Sequence, residues 1–75
     1  MQFPDRKTVE RLREVYPPGT VVELVRMEDK FSPPVGTRGV VIGVDDAGSV
    51  MVRWTNGSSL SVIYGVDEAR KVEEV

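Results

Sequence analysis

The sequence predicts a mainly β protein: a small, highly bent barrel of five short strands, preceded by a short N-terminal α-helix. Short runs of β-branched and aromatic residues recur along the chain, and such residues fit the pleated, half-buried surface of a sheet. Turn signals separate these runs, and one apolar stripe at helical spacing lies before them. With 75 residues the chain is expected to form a single small domain, in which residues 1–16 supply a helix packed on the barrel and residues 17–75 supply the barrel.

The helix is predicted to begin after Asp5, whose side chain can cap the free N–H groups of the first turn. Phe3 precedes this cap in the position of a hydrophobic staple. Three apolar residues then recur at intervals of three and four, on one face of a helix: Val9, Leu12 and Tyr16. Pro17-Pro18-Gly19 ends the helix, because the residue before a proline avoids the α conformation. About three turns of helix are marginal alone in water, so we expect the stripe to cover one open end of the sheet.

The first strand is predicted from Thr20 to Met27, with Val22 and Leu24 facing the core. The following residues, 28–35, are polar and contain prolines, which predicts an irregular loop. Phe31 is the aromatic residue of this loop. We expect it to fold down as a lid over the core, since a lone loop aromatic is more often packed than exposed as a platform for a ligand.

Three strands in series form the centre of the predicted sheet. Residues 40–44 and 50–54 are joined by Asp45-Asp46-Ala47-Gly48, whose acidic side chains are expected to form the turn's own hydrogen bonds. Asn56-Gly57 is expected to form a type I′ turn, in which both central residues have positive φ, and to lead into a strand over residues 58–62. The three strands are therefore predicted to be antiparallel.

Strand parity assigns the larger side chains to the two faces of this sheet. Trp54 shares its parity with Val50 and is assigned to the core, whereas Arg53 faces the other side. At the end of the chain, Val72 and Val75 predict a closing edge strand. Charged residues lie between them, as in edge strands that are protected against further pairing.

Composition excludes several kinds of site. The chain has no histidine and no cysteine, which rules out Ser-His and Cys-His catalytic arrangements, metal sites with these ligands and disulfides. The adjacent Asp45-Asp46 pair is assigned to turn formation, so we predict no enzyme activity, no cofactor and no bound metal.

The overall charge and hydropathy of the chain also limit its partners. Its net charge is −2, whereas nucleic-acid-binding domains typically carry an excess of basic residues. No apolar run approaches the roughly 18 residues of a membrane helix, so we expect a soluble protein. The absence of cysteine favours a cytoplasmic location, and we expect a monomer.

Five blocks of the sequence carry its turn residues: Tyr16 to Thr20, Gly36 to Gly39, Gly43 to Gly48, Trp54 to Leu60 and Gly65 to Asp67. Taken together, these blocks resemble a small family of uncharacterised bacterial and phage domains with an SH3-like barrel. The resemblance covers about residues 16–72. More loosely, the chain is similar to the mind-bomb-type SH3-like domain of ubiquitin ligases. The resemblance implies a small five-stranded SH3-like barrel, and it implies no activity because the family has none assigned.

A small barrel without catalytic residues is best explained as a binding module. The preferred hypothesis is a protein–protein interaction through the groove between the loop of residues 28–35 and the sheet. Phe31, Tyr64 and Tyr16 are the candidate apolar anchors for an unidentified protein or peptide. The slightly acidic charge balance agrees with a protein partner.

The alternative hypothesis is binding of RNA or DNA. Gly36 to Val41 is similar to the glycine-rich segment of KOW-type SH3-like domains that contact RNA. Arg38 and Arg53 are the main candidates for a basic face, which Arg26 and the basic residues of the helix would extend. The net negative charge of the chain instead favours the interpretation that these basic residues are scattered and only increase solubility. Nucleic-acid binding is therefore the second hypothesis.

Overall fold

The computed structural model describes residues 4–73, which form one α-helix and five β-strands. The helix is α1 (Arg6–Val15), and the strands are β1 (Val21–Arg26), β2 (Arg38–Val44), β3 (Ser49–Trp54), β4 (Val62–Ile63) and β5 (Glu68–Lys71). All the strand pairs are antiparallel, and they form a single sheet in the order β4-β3-β2-β1-β5. The predicted mainly β domain with a short N-terminal helix is confirmed.

The sheet curls so that its two edge strands approach each other. β4 and β5 lie at opposite edges, yet they are consecutive in the chain and joined by a turn of residues 64–67. The N–H of Asp67 donates to the carbonyl of Ile63 at 2.9 Å across this turn. A flat sheet of five strands would separate its edges by about 19 Å, four times the usual strand spacing. Within residues 4–73 no strand ladder joins β4 to β5, so the sheet is curled but not closed.

The core lies on the concave side of the curled sheet. Its buried members are Val9, Val22, Leu24, Val41, Val44, Val50, Val52, Trp54 and Val62. The core assignments of Val22, Leu24 and Trp54 are confirmed, and Trp54 is only 2% exposed. Its indole Nε1 donates to the carbonyl of Leu60 at 2.8 Å, which satisfies the one polar group of this side chain.

The helix begins and packs as its sequence predicts. The Asp5 carboxylate accepts the N–H of Thr8 at 2.8 Å, and this hydrogen bond holds the pKa of Asp5 below its usual value. Val9 is buried, and Leu12 and Tyr16 pack against the core. The N–H of Tyr16 donates to the carbonyl of Leu12 and closes the last turn. The predicted staple residue, Phe3, lies outside the described residues.

β2 contains a bulge that decides which side chains it buries. The register shifts between Val41 and Gly43, which makes Ile42 the extra residue. Strict alternation from Val41 would turn Val44 outward. The bulge instead lets Val41 and Val44 both face the core, whereas Val40 and Ile42 are 44% and 50% exposed on the outer face.

The predicted type I′ turn at Asn56-Gly57 is wrong. Gly57 has a φ of 90°, but no non-glycine residue among those described has positive φ, Asn56 included. The N–H of Gly57 donates to the carbonyl of Trp54 at 3.0 Å, and the N–H of Trp54 donates to the carbonyl of Ser58 at 3.1 Å. This is a three-residue loop, in which a type I turn is followed by one left-handed residue. Such a loop needs glycine at a single position, and the side chain of Asn56 supports it by accepting the N–H of Ser58.

The predicted strand over residues 58–62 is also wrong in its extent, because β4 contains only Val62 and Ile63. The preceding residues use local hydrogen bonds instead of a ladder. The N–H of Leu60 donates to the hydroxyl of Ser58, and the carbonyl of Leu60 accepts the indole of Trp54. Serine side chains that bond the nearby backbone compete with strand pairing in this way.

The loop of residues 28–35 is irregular, as predicted, but Phe31 does not form a lid over the core. Its side chain is 74% exposed. The carboxylate of Asp29 accepts the N–H of Phe31 at 2.8 Å and fixes a local turn, and Lys30 Nζ lies 5.6 Å from the ring centre. Pro33, not Phe31, is the buried residue of the loop.

An edge strand is present near the end of the chain as β5, which pairs with β1, but it ends one residue before Val72 and does not close the sheet. The N–H of Val72 extends this pairing to the carbonyl of Val21 at 2.9 Å. Val75, the other residue of the predicted strand, lies outside the described residues.

Candidate functional site

A cleft of about 410 Å³ opens between the end of α1 and the turn that joins β4 to β5. Its floor is aliphatic and consists of core residues from three strands: Val22, Val50, Val52 and Val62. Leu12 and Tyr16 form one wall. The other wall is formed by Tyr64, Gly65, Asp67, Glu68 and Ala69. An apolar concavity with a few polar groups at its mouth is the usual form of a binding site.

Tyr16 reaches the cleft because the helix ends there. It is the last residue of the apolar stripe and the C-cap of α1, and Pro17 and Pro18 after it cannot continue the helix. Its side chain is half-buried against the core. The sequence pattern that predicts the helix thus also predicts the position of one cleft wall.

Tyr64 is positioned by a turn with two internal supports. Gly65 has a φ of 79°, a left-handed conformation that glycine adopts without strain. The Asp67 carboxylate accepts the N–H of Ile63 at 2.9 Å and closes the turn from its other side. These contacts leave the ring of Tyr64 52% exposed at the mouth of the cleft.

Three charged residues lie at the rim: Arg26, Asp67 and Glu68. Arg26 is the register partner of Glu68, and its Nη2 lies 3.5 Å from the carbonyl of Val66. The sequence pattern predicts no role in a binding site for Asp67 or Glu68. The signal available for them was the turn pattern of Gly65 followed two residues later by Asp67, which predicts a capped turn but not the wall of a cleft.

The structure brings Tyr16 and Tyr64 together but does not bring Phe31 to them. No residue of the 28–35 loop is among those that line this cleft. Phe31 is instead exposed on its own loop, outside the cleft. The three predicted apolar anchors therefore occupy two separate surfaces.

Arg38 and Arg53 lie together on the outer, convex face of the sheet. Val40 is the register partner of Arg53, and Arg38 precedes Val40 by two residues on the same face. Arg38 Nε lies 3.6 Å from Oε1 of Glu23, and the other carboxylate oxygen of Glu23 lies 2.8 Å from Nη2 of Arg70. One carboxylate therefore faces two guanidinium groups.

The basic residues of the helix have different partners. Arg6 Nε lies 3.3 Å from Glu10 Oε1. Arg13 donates to the carbonyl of Val44 at 3.1 Å and to the carboxylate of Asp46 at 2.8 Å, and so ties the helix to the β2–β3 turn.

The acidic turn between β2 and β3 has structural contacts. Asp45 Oδ1 accepts the N–H groups of Ala47 and Ser49 at 3.0 and 2.9 Å, which confirms its predicted role in the turn. The carboxylate of Asp46 faces Arg13. Within the part of the chain that the structure describes, no three acidic, histidine or cysteine side chains form a group that could hold a metal ion. The described helix is too short and too polar to span a membrane.

Comparison with known proteins identifies a family but no relative of known activity. No curated protein and no solved structure shows a significant match to the chain. A family profile, in contrast, matches residues 5–72, which include the helix, all five strands and both walls of the cleft. The chain therefore belongs to the family described as Domain of unknown function (DUF4314).

Proposed function

We propose that the protein is a non-enzymatic, protein-binding module of the SH3-like barrel type, which takes apolar side chains of its partner into the cleft between Tyr16 and Tyr64. The curled sheet supports the barrel, because its edge strands are joined by four residues and need only a short ladder to close. The resemblance to small bacterial and phage domains supports the same fold. A cytoplasmic location and a monomeric state remain predictions.

The observation that carries the proposal is the cleft itself. Its floor is made of valine side chains, so it offers no polar group to a sugar, a phosphate or a metal ion there. Tyrosines at the two walls supply large apolar surfaces with a polar tip, the residue type that is enriched in protein interfaces. The charges stay at the rim, where they fix the orientation of a partner more than they add to its affinity.

The exposed Phe31 supports the proposal in a second way. Phe31 is 74% exposed on its loop, with Lys30 Nζ 5.6 Å from the ring centre, so the ring is accessible to a partner. Because it lies apart from the cleft, we assign it to a second contact with the same class of partner. It is not an alternative anchor for the cleft.

The test is affinity capture from a cell lysate with the wild-type domain and two variants, with and without nuclease. Tyr64→Ala removes a cleft wall, whereas Val66→Ala is a matched control because Val66 is equally exposed, at 53% against 52%, and does not line the cleft. We expect a protein that survives nuclease treatment, is lost with Tyr64→Ala and is retained with Val66→Ala. A partner that Tyr64→Ala and Val66→Ala retain equally would contradict the assignment of the cleft.

Nucleic-acid binding is the second candidate, and the common face of Arg38 and Arg53 favours it. Their neighbouring positions on β2 and β3 would let both guanidinium groups meet one phosphate backbone. The same capture experiment decides between the two candidates. Loss of all bound protein after nuclease treatment would favour the nucleic acid.

A further inference from the structure

The outer face of the sheet carries an apolar patch that the cleft does not explain. The patch consists of Val21, Val40, Ile42 and Met51. Val40 is the register partner of Val21, and the bulge in β2 places Ile42 beside Met51. Val40 and Ile42 are about half exposed. Val21 and Met51 are partly buried.

The border of this patch is positively charged. Arg53 lies beside Val40, and Arg38 and Arg70 lie in the next row on either side of Glu23. Three arginines against one glutamate give this face a formal charge of +2. The chain as a whole has a formal charge of −2, so the remaining residues together carry −4. The positive charge is therefore concentrated on the face that also exposes aliphatic side chains.

We propose that this face binds an acidic amphipathic segment of a protein, whose apolar side chains pack on Val40 and Ile42 and whose carboxylates meet Arg38, Arg53 and Arg70. Charge complementarity selects this occupant. Arginine is suited to it because its planar fork binds a carboxylate through two parallel hydrogen bonds. Arg53 has no carboxylate within ion-pair distance among the described residues, and Arg38 shares Glu23 with Arg70.

Two other occupants fit the same face less well. A second copy of the chain, related by a two-fold axis, would bring the same positive border against itself, and like charges in contact oppose binding. A nucleic acid would meet the Glu23 carboxylate in the middle of the arginine row. It would also find valine and isoleucine instead of the aromatic rings on which single-stranded bases stack.

The test is selection from a displayed library of random twelve-residue peptides on the wild-type domain, followed by binding measurements with the enriched peptides. We expect enriched sequences that combine aliphatic residues with Asp and Glu. The double variant Arg38→Gln, Arg53→Gln should bind them about tenfold more weakly, since exposed charge pairs of this kind contribute modestly and together reach one decade. The double variant Lys7→Gln, Arg11→Gln is the matched control, because it removes the same charge from exposed positions on the helix.

Amide shifts locate the bound peptide. Shifts centred on Val40, Ile42 and Arg53, unchanged affinity for Tyr64→Ala and weaker binding to Ile42→Ser would support the proposal. Ile42 is half exposed, so Ile42→Ser leaves the core intact. Failure to enrich any peptide, enrichment of basic peptides, equal binding to both double variants, or shifts centred on Tyr64 would each overturn the proposal. An oligonucleotide that produces the same shifts at lower concentration than the peptides would overturn it in favour of nucleic acid.

Discussion

At the scale of single residues, Trp54 connects the core to the segment that precedes β4. It lies in β3, packs in the core and donates its indole N–H to Leu60 in the segment that precedes β4. Gly39, its register partner in β2, leaves room for the ring. A β-carbon on Gly39 would lie 2.9 Å from Cε3 of Trp54 and 2.9 Å from the carbonyl oxygen of Arg53.

Replacement of Trp54 should therefore strongly destabilise the folded domain. We expect Trp54→Ala to lower the free energy of unfolding by about 3–5 kcal/mol, because it leaves a large cavity, and this is much of the stability of so small a domain. Trp54→Phe should cost less, since it keeps most of the ring and loses the hydrogen bond to Leu60. Urea denaturation of the two variants measures the difference. A fully folded Trp54→Ala domain would show that the core does not depend on this side chain.

Gly39→Ala tests the close approach of β2 and β3. The added methyl group meets backbone and ring atoms that cannot move freely, so we expect a loss of about 1–3 kcal/mol in unfolding free energy from overpacking. Gly43→Ala is the matched control in the same strand, because its β-carbon would meet only the flexible end of Met51, at 3.4 Å. Thermal or urea denaturation should separate the two variants, and equal stabilities would contradict the packing described for Gly39.

At the scale of secondary structure, the elements with a periodic apolar pattern were predicted correctly. The buried residues of the helix, β1 and β3 are those that spacing and parity predict, because a buried face leaves a fixed period in the sequence. The failures occurred where polar side chains compete with the ladder. Residues 58–61 bond their own backbone through Ser58, and Asp29 fixes the turn that leaves Phe31 exposed.

The N-cap of α1 should make the helix sensitive to acid. Because the hydrogen bond from Thr8 lowers the pKa of Asp5 from its ordinary value of 3.8, the charged cap stabilises the folded chain above that pH. Its contribution is lost as the pH falls through the lowered pKa. Asp5→Asn keeps a capping oxygen without the charge. The thermal stability of the wild type should therefore exceed that of Asp5→Asn at neutral pH, and the difference should shrink below about pH 4. A difference that does not change with pH would contradict a role for the carboxylate charge.

At the scale of the whole molecule, the sequence predicts the strand order of the meander better than it predicts the binding surface. Tyr16 and Tyr64 belong to the predicted anchors, but their meeting depends on the curl of the sheet, which brings the turn of residues 64–67 to the end of the helix. The outward positions of Val40 and Ile42 follow from alternation with the buried Val41, so strand parity is enough to predict them. The curl of the sheet and the bulge in β2 instead depend on pairing with distant strands, which leaves no local pattern in the chain.

The last prediction separates protein binding from nucleic-acid binding for the molecule as a whole. A protein held on RNA or DNA by several basic side chains loses affinity steeply with salt, with a slope of about −0.7 to −0.9 per phosphate contact, because each contact releases counterions. Three of the basic residues on which the nucleic-acid hypothesis depends already have carboxylate partners, namely Arg6 and Arg13 on the helix and Arg38 on the sheet. We therefore expect generic single- and double-stranded oligonucleotides to bind no more tightly than about 10⁻⁴ M at physiological salt.

Amide chemical shifts recorded during the same titration show whether the oligonucleotide binds at a defined site. Weak binding of this kind should produce diffuse shifts, and an apolar peptide in the cleft should be much less sensitive to salt, since burial of apolar surface is not screened by ions. Arg38→Glu reverses one charge on the outer face, and Arg11→Glu makes the same change on the helix as a control. Micromolar binding of RNA with shifts concentrated at Arg38 and Arg53, abolished by Arg38→Glu and retained by Arg11→Glu, would replace the protein-binding proposal with the nucleic-acid one.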